Sequence, residues 1–258
     1  MTNLEYSTIE SYMKTQMQDV AHDPHHVYRV LNAAIDIANH ENGACTDVQA
    51  PSGIQNQVDI SVLKTNCSPV DTNVLIAACL LHDIGREQQA ADPKLCHAQI
   101  GSEMAYDFLL SLNWPRSKAR HVKECIRAHR YRSEAPPESI EAKILFDADK
   151  LEACGAIGIA RTLIYQGQVL APLYSLDDEG KIITLGGEKQ YKSSFFQEYN
   201  FKLANVYGTF FTARAKEIAT RRQKAAFDFY NSLYDEISTT HSSLYQYAII
   251  EEDYFGML

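Results

Sequence analysis

Residues 74–81, VLIAACLL, are apolar or small without interruption, and the run ends on HDIGR, where His82 and Asp83 stand side by side. Such a run, entered from a cap at Asp71 or Thr72, predicts a helix over 72–86 that is buried on every side. Elsewhere the apolar positions recur at three- and four-residue intervals. AHDPHHVYRVLNAAIDIANHE sets Val27, Val30, Leu31, Ala34 and Ala38 at helical spacing, with Asp23 as N-cap and Pro24 at the first helical position. The same spacing predicts helices over 93–112, 116–130 and 138–166. Residues 42–70 break it with NGACTDVQAPSGIQNQ and TNCSPVD, a long surface insertion with one short ordered piece around VDISVL. After 166 the pattern changes. GQVLAPLYSLDDEGKIITLGGEKQYK sets short β-branched and aromatic runs around DDEG and GG, which predicts a loop or hairpin excursion. A long helical pattern returns at Ser194, which forms a capping box with Gln197. Its stripe of Phe196, Tyr199, Leu203, Val206 and Phe210 suits core packing. The expected architecture is all-α: a helical core over 1–166 and, over 167–258, the excursion and C-terminal helices that pack on the core.

Composition narrows the class of function. The chain has 258 residues and is 45% hydrophobic, as in an ordinary globular protein able to bury a sizeable core. A net charge of −9 argues against a nucleic-acid backbone as the main partner and leaves room for a local basic pocket holding a small anion. MTNLEYSTIESYMKTQ has polar residues throughout and no apolar stretch of the secretion-signal kind. No run approaches the length of about 18 apolar residues that a membrane helix needs. Cysteines at 45, 67, 79, 96, 125 and 154 include no C-x-x-C pair, and a reduced cysteine in a helix serves as a small hydrophobe. A cytoplasmic protein without disulfides or membrane attachment is expected.

The chemistry begins where the buried run ends. An unpaired imidazole and carboxylate inside a fold cost several kcal/mol. Neighbours on a helix lie about 100° apart, so His82 and Asp83 can converge on one point at its side. A divalent cation there would accept both as ligands and balance the charge. Further donors stand on other helices. His26 shares a side with Val30, Ala33 and Ala34. In ILFDADKLEA, Asp147 and Asp149 interrupt an apolar segment about 200° apart, so both cannot serve one ion. Periodicity leaves open which of the two faces inward. His129 continues the stripe of Val122, Cys125 and Ile126, and His97 sits in PKLCHAQIG.

The order of these motifs resembles that of the HD superfamily of metal-dependent phosphohydrolases. HDPHHVYRV, LLHDIGR and KILFDADKLEACGAIGIAR are similar to its small bacterial branch of stand-alone hydrolases, over roughly residues 20 to 166. The resemblance implies a helical fold in which His26, His82, Asp83 and Asp149 ligate a divalent ion (Mn²⁺, Mg²⁺, Fe²⁺, Co²⁺ or Ni²⁺). It selects Asp149 over Asp147, which becomes a supporting or substrate-side group, and it matches His97 and His129 to the ligands of a second metal. The implied activity is hydrolysis of a phosphoester or phosphoanhydride in a nucleotide or other small phosphorylated metabolite. Asp83 would orient or deprotonate the attacking water, with His129 also in the catalytic set. Arg86, Lys150 and Arg130 would offset phosphate charge, with His97, Arg130 and Asp147 on the substrate side. Arg29 is expected in a supporting ion pair, and HRYR with SEAPPES is expected to rim the pocket. Two other classes compete: a di-iron oxygenase using the extra histidines, and a non-catalytic metal- or nucleotide-binding protein. A homodimer is a candidate assembly.

Overall fold

The computed structural model describes residues 1–17, 24–41, 70–130, 136–186 and 193–255, with side chains to residue 240. His22, the Asp23 cap, residues 42–69 of the expected insertion and residues 131–135 of the HRYR–SEAPPES stretch lie outside the described residues. The fold is all-α. Two compact units form: Met1–Glu152 with Phe210–Ile218, and Ala153–Thr209 with Ala219–Leu258. No helix among the described residues is long and apolar enough to cross a membrane.

The first unit holds α1 (Asn3–Gln16), α2 (Pro24–Glu41), α3 (Thr72–Leu81), α4 (Arg86–Ala91), α5 (His97–Ser111), α6 (Arg116–Ala128) and α7 (Ile140–Leu151). α3 is its axis, packed against α1, α2, α6 and α7. Every residue from Val74 to Leu81 is buried, as an all-apolar helix requires. Asp71 caps it by accepting from the Asn73 and Val74 amides. α1 starts from a Thr2–Glu5 capping box and buries Ile9 and Met13, two apolar positions that its polar composition conceals.

The helix expected over 72–86 stops at Leu81. His82 to Gly85 form a turn before α4, so the His–Asp pair sits on an abrupt helix end rather than along a helix side. Gly85 explains the break. A Cβ there would lie 2.3 Å from the His97 carbonyl oxygen and 2.7 Å from the Gly101 nitrogen, so only glycine lets this turn rest on α5.

Two further expected helices are interrupted. The helix over 138–166 is broken between α7 and α8 (Gly155–Gln168), where Gly155 takes φ +65°, a conformation that costs a side chain strain. The long helical pattern from 194 divides into α9 (Phe195–Glu198), a π-helical turn at Tyr199–Leu203, a 3₁₀ turn at Val206–Gly208 and α10 (Ala213–Phe255). α10 starts afresh because the Asp147 carboxylate accepts from the Phe211 amide (3.0 Å), the Thr212 amide (2.7 Å) and the Thr212 hydroxyl (2.6 Å), which caps a new N-terminus. In the second unit Phe195, Phe196, Tyr199 and Leu203 pack with Ile159 and Ala226 in one core, the role read from the aromatic stripe. The excursion after α8 closes into one antiparallel bridge, Leu176 with Ile182, turned by Asp177, whose carboxylate accepts from the Glu179 and Lys181 amides.

Because the clash at Gly85 is with backbone, Gly85→Ala must displace either the turn or α5. It is expected to cost about 2 kcal/mol, read as a fall of roughly 4–8 °C in melting temperature. An unchanged melting temperature would contradict the close approach.

Candidate metal centre

The ends of five helices converge in the first unit. His26 comes from the first turn of α2, His82 and Asp83 from the turn after α3, His97 from the first residue of α5, His129 from the end of α6, and Asp149 from the last turn of α7. His82 and Asp83 are fully buried, and His26, His97 and His129 nearly so. Two groups of three donors result. His26, His82 and Asp149 form one; Asp83, His97 and His129 form the other; within each, the ligand atoms lie within 4.8 Å of one another.

Asp83 joins the two. Its Oδ2 lies 3.5 Å from His82 Nε2 and 3.6 Å from His26 Nε2, while Oδ1 lies 3.5 Å from His97 Nε2 and 3.6 Å from His129 Nε2. Oδ1 also accepts from Arg86 Nε at 2.9 Å; Oδ2 is buried without a hydrogen bond. Asp149 turns Oδ1 toward His26 Nε2 (3.5 Å) and His82 Nε2 (3.9 Å), and its Oδ2 accepts from Lys150 Nζ at 2.6 Å.

The outer nitrogens settle the tautomers. His82 Nδ1 lies 2.8 Å from the Cys79 carbonyl, and His129 Nδ1 lies 2.6 Å from the Ile126 carbonyl. His97 Nδ1 lies 2.8 Å from Gln89 Oε1, in an amide oriented by its Nε2 donating to the Leu95 carbonyl. His26 Nδ1 lies 3.3 Å from Glu152 Oε2. All four partners are acceptors only, so each Nδ1 carries a hydrogen and each ring turns Nε2 inward. The inward nitrogens meet in pairs, His26 with His82 and His97 with His129, each pair 3.3 Å apart.

Electrostatics keep these groups in the metal-binding form. Burial pushes His82 down to about 4 and His97 down to about 2, so both rings are neutral at pH 7. Burial alone would raise the two carboxyls. For Asp83 the Arg86 guanidinium, and for Asp149 the Lys150 ammonium, is the largest opposing influence, and each carboxyl is held well below the usual range. The neutral His82 and His97 rings therefore turn Nε2 lone pairs toward the Asp83 carboxylate. A divalent ion with bonds of about 2.0–2.2 Å would hold neighbouring donors about 3.0–3.6 Å apart, close to the separations here, so the donors fit such an ion. The orphaned Asp83 Oδ2 is where the fit is most demanding, since a buried carboxylate oxygen without a partner is costly.

The sequence-derived candidates separate accordingly. His26, His82 and Asp149 form one group, with Asp83 Oδ2 beside its two histidines, and His97 and His129 group with Asp83. Arg86 and Lys150 each bind one carboxylate of the centre. Arg130 directs Nη1 to Cys96 Sγ at 3.2 Å, beside the start of α5. Asp147 corrects the expectation: it points away, and both its oxygens are taken by Phe211 and Thr212, so it serves α10 rather than a substrate. Burial raises its carboxyl. The opposed directions of Asp147 and Asp149 are those that their helical spacing requires. Glu152 and Gln89, which orient His26 and His97, went unnoticed in the sequence. Glu152 had a signal, an acid three residues after Asp149 in an apolar segment; Gln89 had none.

An HD domain model matches residues 25–154. YpgQ of Bacillus subtilis (strain 168), an uncharacterized protein, is 27% identical over 221 residues, which span 84% of each chain. Its crystal structure superposes with a TM-score of 0.62 over 92% of this chain and 98% of that one, at 23% identity. A second crystal structure of YpgQ is a complex with ADP, with a TM-score of 0.60 at 22% identity over 90% and 97% of the two chains. A predicted HD superfamily hydrolase from an uncultured Thermotogales bacterium is 26% identical, with a TM-score of 0.53 over 91% and 92%.

Two outcomes follow from this geometry. An unfolded histidine titrates near 6.5, whereas His82 stays neutral down to about 4 in the fold, so on acidification the unfolded chain takes up the proton first. The melting temperature of chelator-treated protein should therefore fall steadily from pH 6.5 to pH 4, and Asp83 and Asp149 add to the loss below that; a flat profile would contradict the buried neutral ring. Asp147→Ala should destabilise the fold by about 3 kcal/mol, since it strands buried donors, while Mn²⁺ bound per folded molecule stays unchanged; loss of Mn²⁺ binding by folded protein would return Asp147 to the site.

Proposed function

The chain belongs to the HD domain family, and from that membership and its donor geometry we propose that it is a metal-dependent phosphohydrolase acting on a nucleotide or other small phosphorylated metabolite. The observation that carries this reading is the convergence of four imidazoles and the Asp149 carboxylate around Asp83. Mixed nitrogen and oxygen donors suit Mn²⁺, Fe²⁺, Co²⁺ or Ni²⁺, and Mg²⁺ less well. A divalent ion bound there supplies Lewis acidity and a water of lowered pKa.

The chain's own groups supply the rest. Asp83, fully ionised and shared between the two donor groups, orients or deprotonates the attacking water, and His129 stands beside it. Arg86 and Lys150 carry positive charge at the rim of an otherwise acidic protein and offset charge on phosphate oxygens. Arg130 and His97, at the start of α5, stand on the substrate side. A small anion fits this local cationic edge better than a nucleic-acid backbone, given the net charge of −9. The ADP complex of YpgQ supports a nucleotide as the substrate class.

The second donor group also favours one competing reading, an oxygen-activating di-iron enzyme, because Asp83, His97 and His129 offer a second ion a complete set of three donors. One experiment separates the two. Purified protein, analysed for metal and assayed for phosphate release on a panel of nucleotides and sugar phosphates, should turn over with Mn²⁺ and consume no oxygen. His82→Ala and Asp83→Ala should each lower that rate at least about 10²-fold. Oxygen uptake by the iron-loaded protein without phosphate release would favour the competitor; undiminished turnover in both variants would remove the site.

A further inference from the structure

We propose that Glu152 is the positioning residue of this centre: it fixes which nitrogen of His26 faces the ion and strengthens that nitrogen as a donor. The inference rests on the reading of His26 as a metal ligand. Three of the four imidazoles rest Nδ1 on neutral acceptors, the carbonyls of Cys79 and Ile126 and the Gln89 amide oxygen. His26 alone rests it on a carboxylate. Glu152 Oε2 lies 3.3 Å from His26 Nδ1, and the residue is only 5% exposed.

One turn of α2 beyond His26, Arg29 donates from Nε to the same oxygen at 2.8 Å, which holds the carboxylate aimed. The acid is delivered by the helix that delivers the ligand. Glu152 caps α7, its amide donating to the Asp149 carbonyl at 3.1 Å. A single helical turn thus sets Asp149 Oδ1 3.5 Å from His26 Nε2 and Glu152 Oε2 3.3 Å from His26 Nδ1. The imidazole is clamped between two carboxylates, and only one of them faces the centre. An imidazole that gives its Nδ1 hydrogen to a carboxylate becomes a more basic donor at Nε2, and its alternative tautomer is excluded. An Arg29–Glu152 pair serving only to join α2 to α7 would need no imidazole nitrogen against it.

The test uses the full chain with Mn²⁺ alone as probe, free Mn²⁺ being read by electron paramagnetic resonance. The tautomer of His26 is read by ¹⁵N NMR of the metal-free, histidine-labelled protein. Glu152→Leu should lower Mn²⁺ affinity about 10- to 100-fold and let His26 populate the Nε2-protonated form. Glu152→Gln keeps an acceptor but no charge; it should preserve the Nδ1-protonated form and lose roughly three- to tenfold in affinity. Affinity within twofold of the parent in both variants, with the tautomer unchanged, would overturn the proposal. Should Glu152→Leu not fold, Glu152→Gln decides alone, and affinity within twofold of the parent overturns it. His26→Ala separates the two levels: if it leaves Mn²⁺ affinity unchanged, the metal reading of the centre falls, whereas weakened binding there with unaffected Glu152 variants removes only this inference.

Discussion

A fully buried carboxylate, Asp83, is the constraint on which the other groups of the centre are arranged. One of its oxygens is held by Arg86; the other has no hydrogen-bond partner and faces Nε2 of His26 and His82. In the low-dielectric interior such an oxygen is stable only if positive charge lies close by. Burial keeps His82 and His97 neutral, so these two imidazoles do not supply it. A cation from outside the chain would meet that demand.

The fold is organised to impose that demand. α3 is apolar and buried from Val74 to Leu81, so its C-terminal end lies in the interior. Gly85 then lets the His–Asp turn approach the first turns of α5 at a backbone distance no side chain permits, which sets His97 beside Asp83. His82 and His129 each sit at a helix C-terminus and direct Nδ1 to a carbonyl three residues back, in the last helical turn. Helix ends therefore do two things at once here: they satisfy their own backbone groups and they aim imidazoles.

Much of this was legible in the sequence. The unbroken run from Val74 to Leu81 announced a buried helix, and a histidine and an aspartate at its end posed the burial problem that points to a cation. Helical spacing placed Asp147 and Asp149 on opposite sides, though it could not say which faced the centre; that depended on Phe211 and Thr212, more than sixty residues away in the chain. The helix breaks were less legible. Gly85 and Gly155 stop helices because of what lies against them in space, namely the α5 backbone and Arg222, and periodicity carries no record of such neighbours. The same holds for Gln89, whose role exists only because α4 folds back beside His97.

A crystal structure of the protein grown in Mn²⁺, with an anomalous difference map collected for that element, tests the account most directly. The account predicts an anomalous peak within coordination distance of His26 Nε2, His82 Nε2, Asp83 Oδ2 and Asp149 Oδ1. A map with no peak there, in a protein whose four side chains keep these positions, would contradict it.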